Sequence, residues 1–422
     1  MNILIRDILA ILPDGPKVCS VCVENDIISA VGIIPDDFTS DKTINGSGRM
    51  LIPGLINAHT HAAMTIFRNC ADDLLFNDWF FGKILPLEEQ LQGDDVYWGT
   101  LLANMEMLRS GTTAFIDMYD FTDCYARAIT ESGIRCAFSR GMTGDITTGE
   151  PKLREALNEI DRWKGHDNLT FMLAPHAPYT CDEAFQREVA AAAKRLGIPI
   201  NTHLAESLAE IETIREQYGC TPVELYDKTG LLTNTTVAAH CVHLTDGDIE
   251  ILARRGVTVA TNPVSNLKLA NGVAPVLKLA DAGVNVALGT DSAASNNSLN
   301  MFRELSMLTL LHKGVNGNAE AVSAQEGFLM ATKNGAAAMS RSDIGEIKPG
   351  MKADLAILDL DRPNMQPLSN PIAALAYSAN GSEVETVMVG GKILMENHEF
   401  LTIDKDRVIF EVNSISKRLG IV

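Results

Sequence analysis

Residues 53–61 read Pro-Gly-Leu-Ile-Asn-Ala-His-Thr-His, an apolar run of strand length that ends in two histidines two positions apart. Because side chains alternate between the two faces of a strand, His59 and His61 point to the same side. Seven further apolar runs follow along the chain, and stretches with helical patterning separate them. The eight predicted strands are residues 51–61, 111–118, 135–142, 169–176, 198–203, 235–240, 257–262 and 285–291.

The alternation of strands and helices indicates the fold class. Parallel strands need crossover connections, usually helices, and eight such units in about 290 residues match an α/β fold of the (β/α)8 TIM barrel type better than an open doubly wound sheet. No glycine-rich motif that could cradle a nucleotide phosphate follows any of these strands. We therefore predict that residues 55–344 form the barrel and carry the catalytic site.

The two ends of the chain have a different pattern. Residues 1–54 and 345–422 read as short strands and turns, and residues 407–419 have the patterning of a closing helix. We predict that both ends pair into one small β-sandwich domain, with residues 1–54 as its N-terminal part and residues 345–422 as its C-terminal part.

Composition restricts the class of protein. The 422 residues are 46% hydrophobic and 21% charged, which is typical of a globular protein. A formal net charge of -19 argues against nucleic acid or an anionic membrane as partner and favours a small-molecule ligand. No secretory signal or membrane-spanning run is predicted, and eight scattered cysteines are typical of a reducing compartment, so we expect a cytoplasmic protein. A homo-oligomer is compatible with these features.

Three further predicted strands end in a residue that can bind a metal, namely His203, His240 and Asp291. Active sites of β/α barrels lie at the carboxyl ends of the strands, so these side chains should converge with those of the first strand. Three imidazoles and one carboxylate suit zinc, with ferrous iron as the alternative, and leave a position for water. The predicted site holds one divalent metal per chain through His59, His61, His203 and Asp291.

Two residues near these ligands are candidates for the chemistry itself. Glu206, three positions beyond His203, is placed to move a proton between water and substrate, and the alternative is charge compensation at a helix start. His240 either ligates the metal or polarises the charge that develops at the attacked carbon. With Asp291, these two residues form the predicted catalytic group. A divalent ion lowers the pKa of a bound water from 15.7 to about 7, so hydrolysis at neutral pH is the expected chemistry.

Four stretches of the chain carry a resemblance to a known family. They are residues 53–61, His203-Leu204-Ala205-Glu206-Ser207, His240-Cys241-Val242-His243-Leu244 and Gly289-Thr290-Asp291. Together they resemble the amidohydrolase superfamily, and most closely its branch of 5′-methylthioadenosine/S-adenosylhomocysteine deaminases. The resemblance runs essentially end to end and implies the same four ligands, with Glu206 and His240 catalytic. The fourth predicted strand carries no lysine that could bridge two metals, so one metal is expected.

The connection after the first strand, residues 62–110, is far longer than a typical βα loop, which predicts a lid. The resemblance implies that the substrate is contacted by Trp79 and His176 at the purine ring, Ser295 at the purine edge, Glu88 at the ribose hydroxyls and Arg140 at the carboxylate of S-adenosylhomocysteine. The alternatives are core positions for Trp79 and His176, a solvated carboxylate for Glu88 and an ion pair for Arg140.

The resemblance implies hydrolytic deamination of an adenine nucleoside to its inosine analogue, with release of ammonia. The substrate would be S-adenosylhomocysteine, 5′-methylthioadenosine or adenosine. Lys152 stands where the family often has a second arginine for the amino-acid carboxylate, so the choice among the three stays open. The alternative reaction is that of another amidohydrolase on a nitrogen heterocycle, such as a guanine deaminase or a triazine hydrolase. A third hypothesis is a binding protein without catalysis, against which the complete ligand set and Glu206 argue.

Overall fold

The computed structural model describes all residues 1–422, and no helix interrupts the strands and turns of its first 53 residues. The strands of this part are β1 Asn2–Leu12, β2 Gly15–Glu24, β3 Ile27–Gly32, β4 Lys42–Asn45 and β5 Arg49–Pro53. Strand β1 is antiparallel to β2 and parallel to both β4 and β5. This arrangement leaves the other edge of β5 to be paired by a later part of the chain.

The central part contains eight parallel strands. They are β6 Leu55–Thr60, β7 Thr112–Tyr119, β8 Arg135–Met142, β9 Leu169–Pro175, β10 Ile200–Leu204, β11 Thr236–His240, β12 Thr258–Thr261 and β13 Asn285–Leu288. Each strand pairs with its successor, and the backbone N–H groups of Thr290 and Asp291 donate to the carbonyl oxygen of His59, which joins the last strand to the first. Nearly every strand residue is buried, as expected for a parallel sheet covered on both faces.

Helices surround these strands. The long connection after β6 contains α1 Phe76–Trp79, a π-helical turn Phe80–Ile84, α2 Leu85–Glu88 and α3 Gly93–Arg109. The remaining helices of this part are α4 Thr122–Ser132, α5 Ile146–Trp163, α6 Glu183–Leu196, α7 Leu208–Tyr218, α8 Pro222–Thr229, α9 Asp246–Arg255, α10 Pro263–Lys268, α11 Val276–Asp281, α12 Met301–Asn316, α13 Ala324–Met330 and α14 Lys333–Ala338. Short polar side chains fix where several of them begin: Asp182, Ser207 and Thr245 accept hydrogen bonds from the first turns of α6, α7 and α9.

The C-terminal part returns to the first sheet. Its elements are β14 Leu355–Asp359, α15 Pro371–Tyr377, β15 Val384–Val389, β16 Lys392–Glu396, β17 Glu399–Phe400 and the closing helix α16 Lys405–Arg418. Strand β14 is antiparallel to β5, so both chain ends share one nine-stranded sheet. Some apolar side chains of this sheet form a core of their own, and others, such as Met50, Leu358 and Val387, belong to the main core around the barrel.

The predicted fold class is confirmed: a β/α barrel and a separate sheet built from both chain ends. One strand prediction needs correction, because residues 51–61 are two strands that meet at Gly54. A Cβ atom at Gly54 would lie 2.0 Å from Thr113 Oγ1. The N–H of Gly54 donates to the backbone carbonyl oxygen of Asp354, so the chain leaves one sheet and enters the other at this residue. The domain limits 1–54, 55–344 and 345–422 stay a prediction. No helix is long and apolar enough to cross a membrane.

A buried ion pair joins the barrel to the second sheet. Arg135 at the start of β8 donates from Nε and Nη2 to the two carboxylate oxygens of Asp354, at 2.8 and 3.0 Å, and both side chains are almost fully buried. Asp354→Ala would leave the guanidinium buried without its partner. We expect the free energy of unfolding to fall by about 3 to 5 kcal/mol.

Urea unfolding followed by tryptophan fluorescence measures this effect. The matched control is Glu150→Ala, which breaks an exposed pair with Arg154 on α5 and should change the free energy of unfolding by less than about 0.5 kcal/mol. Equal urea midpoints for Asp354→Ala and Glu150→Ala would show that the buried pair contributes no more than an exposed one.

Candidate metal centre and active site

The four predicted ligands meet at the carboxyl ends of the barrel strands. His61 Nε2 lies 3.2 Å from His203 Nε2, and Asp291 Oδ1 lies 3.7 and 3.6 Å from the Nε2 atoms of His59 and His61. Two nitrogens bound tetrahedrally to one zinc ion at about 2.05 Å lie roughly 3.3 Å apart. The spacing of the ligand atoms therefore fits one divalent ion.

Hydrogen bonds behind the ligands turn their free nitrogens toward this point. His61 Nδ1 lies 2.6 Å from the carbonyl oxygen of Met118, and His203 Nδ1 lies 2.8 Å from that of His176. A carbonyl only accepts, so each Nδ1 carries the proton and each Nε2 presents a lone pair. His59 is fully buried and has no hydrogen-bond partner on either nitrogen. Such an arrangement is costly, and a cation bound at the lone-pair nitrogen would offset part of the cost, which is a second reason that the residues fit a metal.

The electrostatics of the ligands agree with metal binding. Burial, together with the facing imidazoles, lowers the pKa values of His59 and His203 well below the usual range, so both rings are neutral. Burial would raise the pKa of Asp291, but His240, His61 and His59 outweigh it and hold this pKa at about 2. Neutral imidazoles beside an ionised carboxylate are the protonation states that a divalent metal requires.

Two of the residues at this place have an uncommon backbone conformation. His240 and Asp291 have φ angles of +72° and +60°, which are uncommon for residues other than glycine and cost about 1 to 3 kcal/mol each. Gly289, two residues before Asp291, packs against the first strand: a Cβ atom there would lie 2.8 Å from the backbone nitrogen of His59. The close approach explains why glycine precedes the ligand.

Glu206 lies beside the ligands and is almost completely buried. Its Oε1 accepts a hydrogen bond from Asn271 Nδ2 at 3.0 Å, and its Oε2 lies 3.9 Å from His240 Nε2. Burial raises the pKa of Glu206 above its usual value, while His240 partly opposes the rise. A carboxyl group with a raised pKa is suited to both accepting and donating a proton near neutral pH.

A second carboxylate holds the backbone that carries Glu206. Glu210, in the first turn of α7, accepts the N–H groups of Ala205 and Glu206 at 2.7 and 3.0 Å. Ala205 has a φ of +51°, so these bonds stabilise an uncommon backbone conformation. Burial raises the pKa of Glu210 to about 7, although the two N–H donors oppose this rise.

His240 is bonded at the nitrogen that faces away from Glu206. Its Nδ1 lies 2.8 Å from Asn266 Oδ1, so Nδ1–H donates and Nε2 faces the site. Burial would lower the pKa of His240, but Glu206 and Asp291 outweigh it and raise this pKa above the usual value. A nitrogen of this ring also lies within 4.8 Å of nitrogens of His59 and His203, so the geometry is compatible with both roles predicted for His240.

A cavity of about 410 Å³ opens over this centre, within the range of small-molecule sites. Its walls include the predicted residues His61, Trp79, Glu88, His176, His203, Glu206, His240 and Asp291. The side chains from the long connection after β6 form the outer wall, opposite the strand ends. The structure thus brings together the predicted ligands, the predicted acid/base and three of the five predicted substrate contacts.

The outer wall offers polar groups to a ligand. Burial raises the pKa of Glu88, and the nearby Tyr119 hydroxyl partly opposes the rise. Trp79 is buried, and its Nε1 has no hydrogen-bond partner. His176 Nδ1 lies 3.1 Å from Thr180 Oγ1, and burial lowers the pKa of this ring to about 4, so it is neutral. These groups can offer hydrogen bonds to a ligand in the cavity.

Two predicted contacts lie off the cavity wall. Arg140 forms ion pairs with Asp120, Glu155 and Glu159, at 3.2, 3.0 and 2.9 Å. Ser295 is fully buried, and its hydroxyl donates to Asp291 Oδ2 at 2.8 Å. Their predicted substrate contacts stay predictions, and each would require the side chain to leave a partner that it holds in this structure.

Sequence reasoning missed the polar residues behind the reacting groups. They are Glu210 behind Glu206, and Ser265, Asn266 and Asn271, which contact Asp291, His240 and Glu206 respectively. One signal was present: residues 262–266, Asn-Pro-Val-Ser-Asn, directly follow a buried strand that supplies no ligand. Polar side chains at the carboxyl end of a barrel strand face the site.

The fold and the site define a class of protein, a β/α-barrel hydrolase whose cluster of imidazoles and a carboxylate suits a divalent metal. The chain belongs to the amidohydrolase family, whose model matches residues 50–394. It is 44% identical over 427 residues to a 5-methylthioadenosine/S-adenosylhomocysteine deaminase of Caldanaerobacter subterraneus subsp. tengcongensis, with 99% of both chains covered. It is 46% identical over 408 residues to the protein of the same name from Carboxydothermus hydrogenoformans, with 94% of both covered.

A solved structure has nearly the same fold. The crystal structure of an adenosine deaminase from Xanthomonas campestris with bound zinc superposes with a TM-score of 0.96 at 33% sequence identity. The match covers 100% of this chain and 99% of the other. The family resemblance predicted from the four sequence stretches is therefore confirmed.

Proposed function

We propose that this protein is a metal-dependent hydrolase that converts the 6-amino group of an adenine nucleoside to a carbonyl and releases ammonia. The observation that carries the proposal is the meeting of Glu206 with the ligand cluster on one wall of a cavity whose other wall presents Glu88 and Trp79. Near full-length similarity to the deaminases named above supports it.

Zinc is the proposed metal, one ion per chain, held by His59, His61, His203 and Asp291. Three imidazoles with one carboxylate suit zinc, and ferrous iron is the alternative. The bound zinc of the Xanthomonas campestris enzyme supports the choice. When bound, the ion would act as a Lewis acid that lowers the pKa of water enough for the water to attack C6 at neutral pH.

The residues of the chain then move the protons. Glu206 accepts a proton from the attacking water and delivers it to ring N1, while the bond between the water oxygen and C6 forms. Asp291, itself one of the four proposed ligands, also orients this water. The Nε2 side of His240 faces the same point and stabilises the charge that develops on the attacking oxygen.

Departure of ammonia completes the reaction. Glu206 transfers the remaining hydroxyl proton to the 6-amino group, the bond between C6 and nitrogen breaks, and a carbonyl remains at C6. The overall change is one water consumed and one ammonia released. His176, which is neutral, and Trp79 hold the purine ring against the cavity wall in this proposal.

Assay of ammonia release and ultraviolet change with a panel of substrates tests the proposal. We expect turnover of adenosine, 5′-methylthioadenosine and S-adenosylhomocysteine, and their relative kcat/KM values rank the 5′ substituents. The competing proposal is a guanine deaminase or triazine hydrolase. Turnover of guanine or a triazine without turnover of any adenine nucleoside would replace our proposal with that one.

Glu88 tests whether the substrate carries a ribose. Its hydrogen bonds to ribose hydroxyls would be charge-assisted and contribute about 1.5 to 3 kcal/mol each. Wild type should therefore favour a riboside over its 2′-deoxy counterpart by roughly ten- to a hundredfold in kcat/KM. We expect Glu88→Ala to lose most of this preference and still convert both substrates.

Glu89→Ala provides the matched control. Glu89 is the adjacent carboxylate, exposed at the rim of the same cavity, and its removal should leave the riboside preference intact. If Glu88→Ala keeps the full preference, Glu88 does not contact the sugar, and a free-base substrate becomes the better assignment.

A further inference from the structure

Residues 262–271, which we term the 262–271 segment, follow strand β12 and contain helix α10. Strand β12 supplies no proposed ligand, but this segment contacts three residues that belong to the site. Ser265 Oγ donates to Asp291 Oδ2 at 2.5 Å, Asn266 Oδ1 accepts from His240 Nδ1 at 2.8 Å, and Asn271 Nδ2 donates to Glu206 Oε1 at 3.0 Å. One stretch of ten residues thus contacts the whole predicted catalytic group.

The contact with His240 fixes which nitrogen faces the reaction. Asn266 is buried, and its carbonyl oxygen holds the Nδ1 proton, so Nε2 points toward Glu206 Oε2. The amide nitrogen of Asn262 is the other polar neighbour of Nδ1, at the longer distance of 3.4 Å. Without the carbonyl oxygen of Asn266, the imidazole loses the acceptor that selects this tautomer and orientation.

The contact with Glu206 separates the roles of the two carboxylate oxygens. Asn271 is almost fully buried and occupies Oε1, which leaves Oε2 facing His240. A carboxylate held at one oxygen rotates less than a free one, so Oε2 keeps its place beside His240 on the wall of the cavity. Proton transfer needs this alignment, because its rate depends on hydrogen-bond distance and direction.

The segment itself is held rigidly. The N–H of Asn266 donates to Asn262 O at 2.9 Å, and the N–H of Asn271 donates to Asn266 O at 2.8 Å. The buried carboxylate of Glu304 accepts the N–H of Val264 at 3.2 Å from the neighbouring helix α12. A rigid support transmits its geometry to the side chains that it contacts.

We propose that Asn266 and Asn271 are positioning residues, which act on the deamination through His240 and Glu206 without touching the substrate. The inference rests on the proposed function. Outer residues that orient reacting or metal-binding side chains typically change activity by about ten- to a hundredfold when removed. The loss should therefore appear in kcat, while KM and metal content stay near their wild-type values.

Asn266 offers a pair of variants with opposite expectations. Asn266→Leu removes the acceptor at similar volume, and we expect kcat to fall by roughly ten- to a hundredfold with KM changed less than about threefold. Asn266→Asp keeps an acceptor oxygen at the same position, so kcat should recover to within about fivefold of wild type. Equal losses in both variants would show that the acceptor oxygen of Asn266 does not account for its effect and would overturn its assignment.

Asn271 is tested by a double-mutant cycle with Glu206. Asn271→Leu should lower kcat by roughly tenfold in the wild-type background. In the Glu206→Gln background, where the proton transfer is already lost, it should lower kcat by less than about twofold, because its effect passes through Glu206. Independent, additive losses would overturn the proposal for Asn271.

Leu267→Ala is the control for the segment as a whole. Leu267 lies on the exposed side of α10, away from the site, and the variant should retain wild-type kcat. Metal content by elemental analysis and thermal unfolding are measured for every variant. If wild type deaminates no adenine nucleoside, the proposed function fails. If wild type is active and Asn266→Leu and Asn271→Leu match it, only the positioning proposal fails.

Discussion

His59→Ala is expected to lose both the metal and the activity. His59 is fully buried among the other ligands, and neither of its nitrogens has a partner within the protein. Removal of its imidazole leaves two imidazoles and one carboxylate, with a buried cavity in place of the ring. Because water loses the activation that lowers its pKa from 15.7 to about 7, we expect activity to fall by at least ~1,000-fold.

Elemental analysis and the ammonia assay measure the two losses together. Wild type should contain about one zinc or iron per chain, and His59→Ala or Asp291→Ala should contain almost none. His166→Ala is the matched control, since His166 is an exposed histidine outside the site. Full activity in a metal-free preparation, or a normal metal content in His59→Ala, would contradict the assignment of this site.

Glu206→Gln is expected to retain the metal and lose turnover. The amide has nearly the same shape as the carboxyl group and can still accept the hydrogen bond from Asn271, but it cannot carry a proton from water to ring N1. Loss of a general acid/base typically lowers the rate by about 10²- to 10⁴-fold, so kcat should fall by at least a hundredfold. Metal content and KM should change little.

Metal content distinguishes a proposed ligand from the proposed acid/base: His59→Ala and Asp291→Ala should lose the metal, and Glu206→Gln should keep it. Glu216→Gln, which changes an exposed glutamate on helix α7 just after Glu206, should behave as wild type. A Glu206→Gln enzyme with near wild-type turnover would assign the acid/base role to another group. A loss of metal in Glu206→Gln would instead indicate that this carboxylate supports the ligand cluster.

The strand ends made the meeting of the four proposed ligands predictable from sequence. Alternation along a strand places His59 and His61 on one side, and parallel strands of a barrel bring their carboxyl ends together, so local periodicity was sufficient. The division of the first predicted strand at Gly54 was not predictable in this way. Residues on both sides of Gly54 are apolar and buried, and only tertiary contacts, with Thr113 and with Asp354, show where the chain changes sheets.

The polar contacts of the site depended on tertiary structure. Arg140 has the charge to bind a carboxylate of a substrate, but in the structure it forms ion pairs with three acidic side chains from two other segments. Ser295 follows Asp291 by four residues and turns back to it, a local bond that sequence spacing does not reveal. Asn266 and Asn271 were missed because their partners, His240 and Glu206, lie on other strands and loops. Sequence patterns predicted the strands and the candidate ligands. The hydrogen bonds and ion pairs between side chains could be identified only in the folded chain.

The pairing of β5 with β14 has a consequence for synthesis of the protein. Residues 49–53 leave the ribosome long before their partners at residues 355–359, which follow roughly 300 residues later. Because synthesis proceeds at about 5 to 20 residues per second, this edge of β5 stays unpaired for some 15 to 60 seconds. During this interval the nascent chain presents an unpaired apolar strand, which is a template for intermolecular association. Premature termination anywhere before β14 would make that exposure permanent.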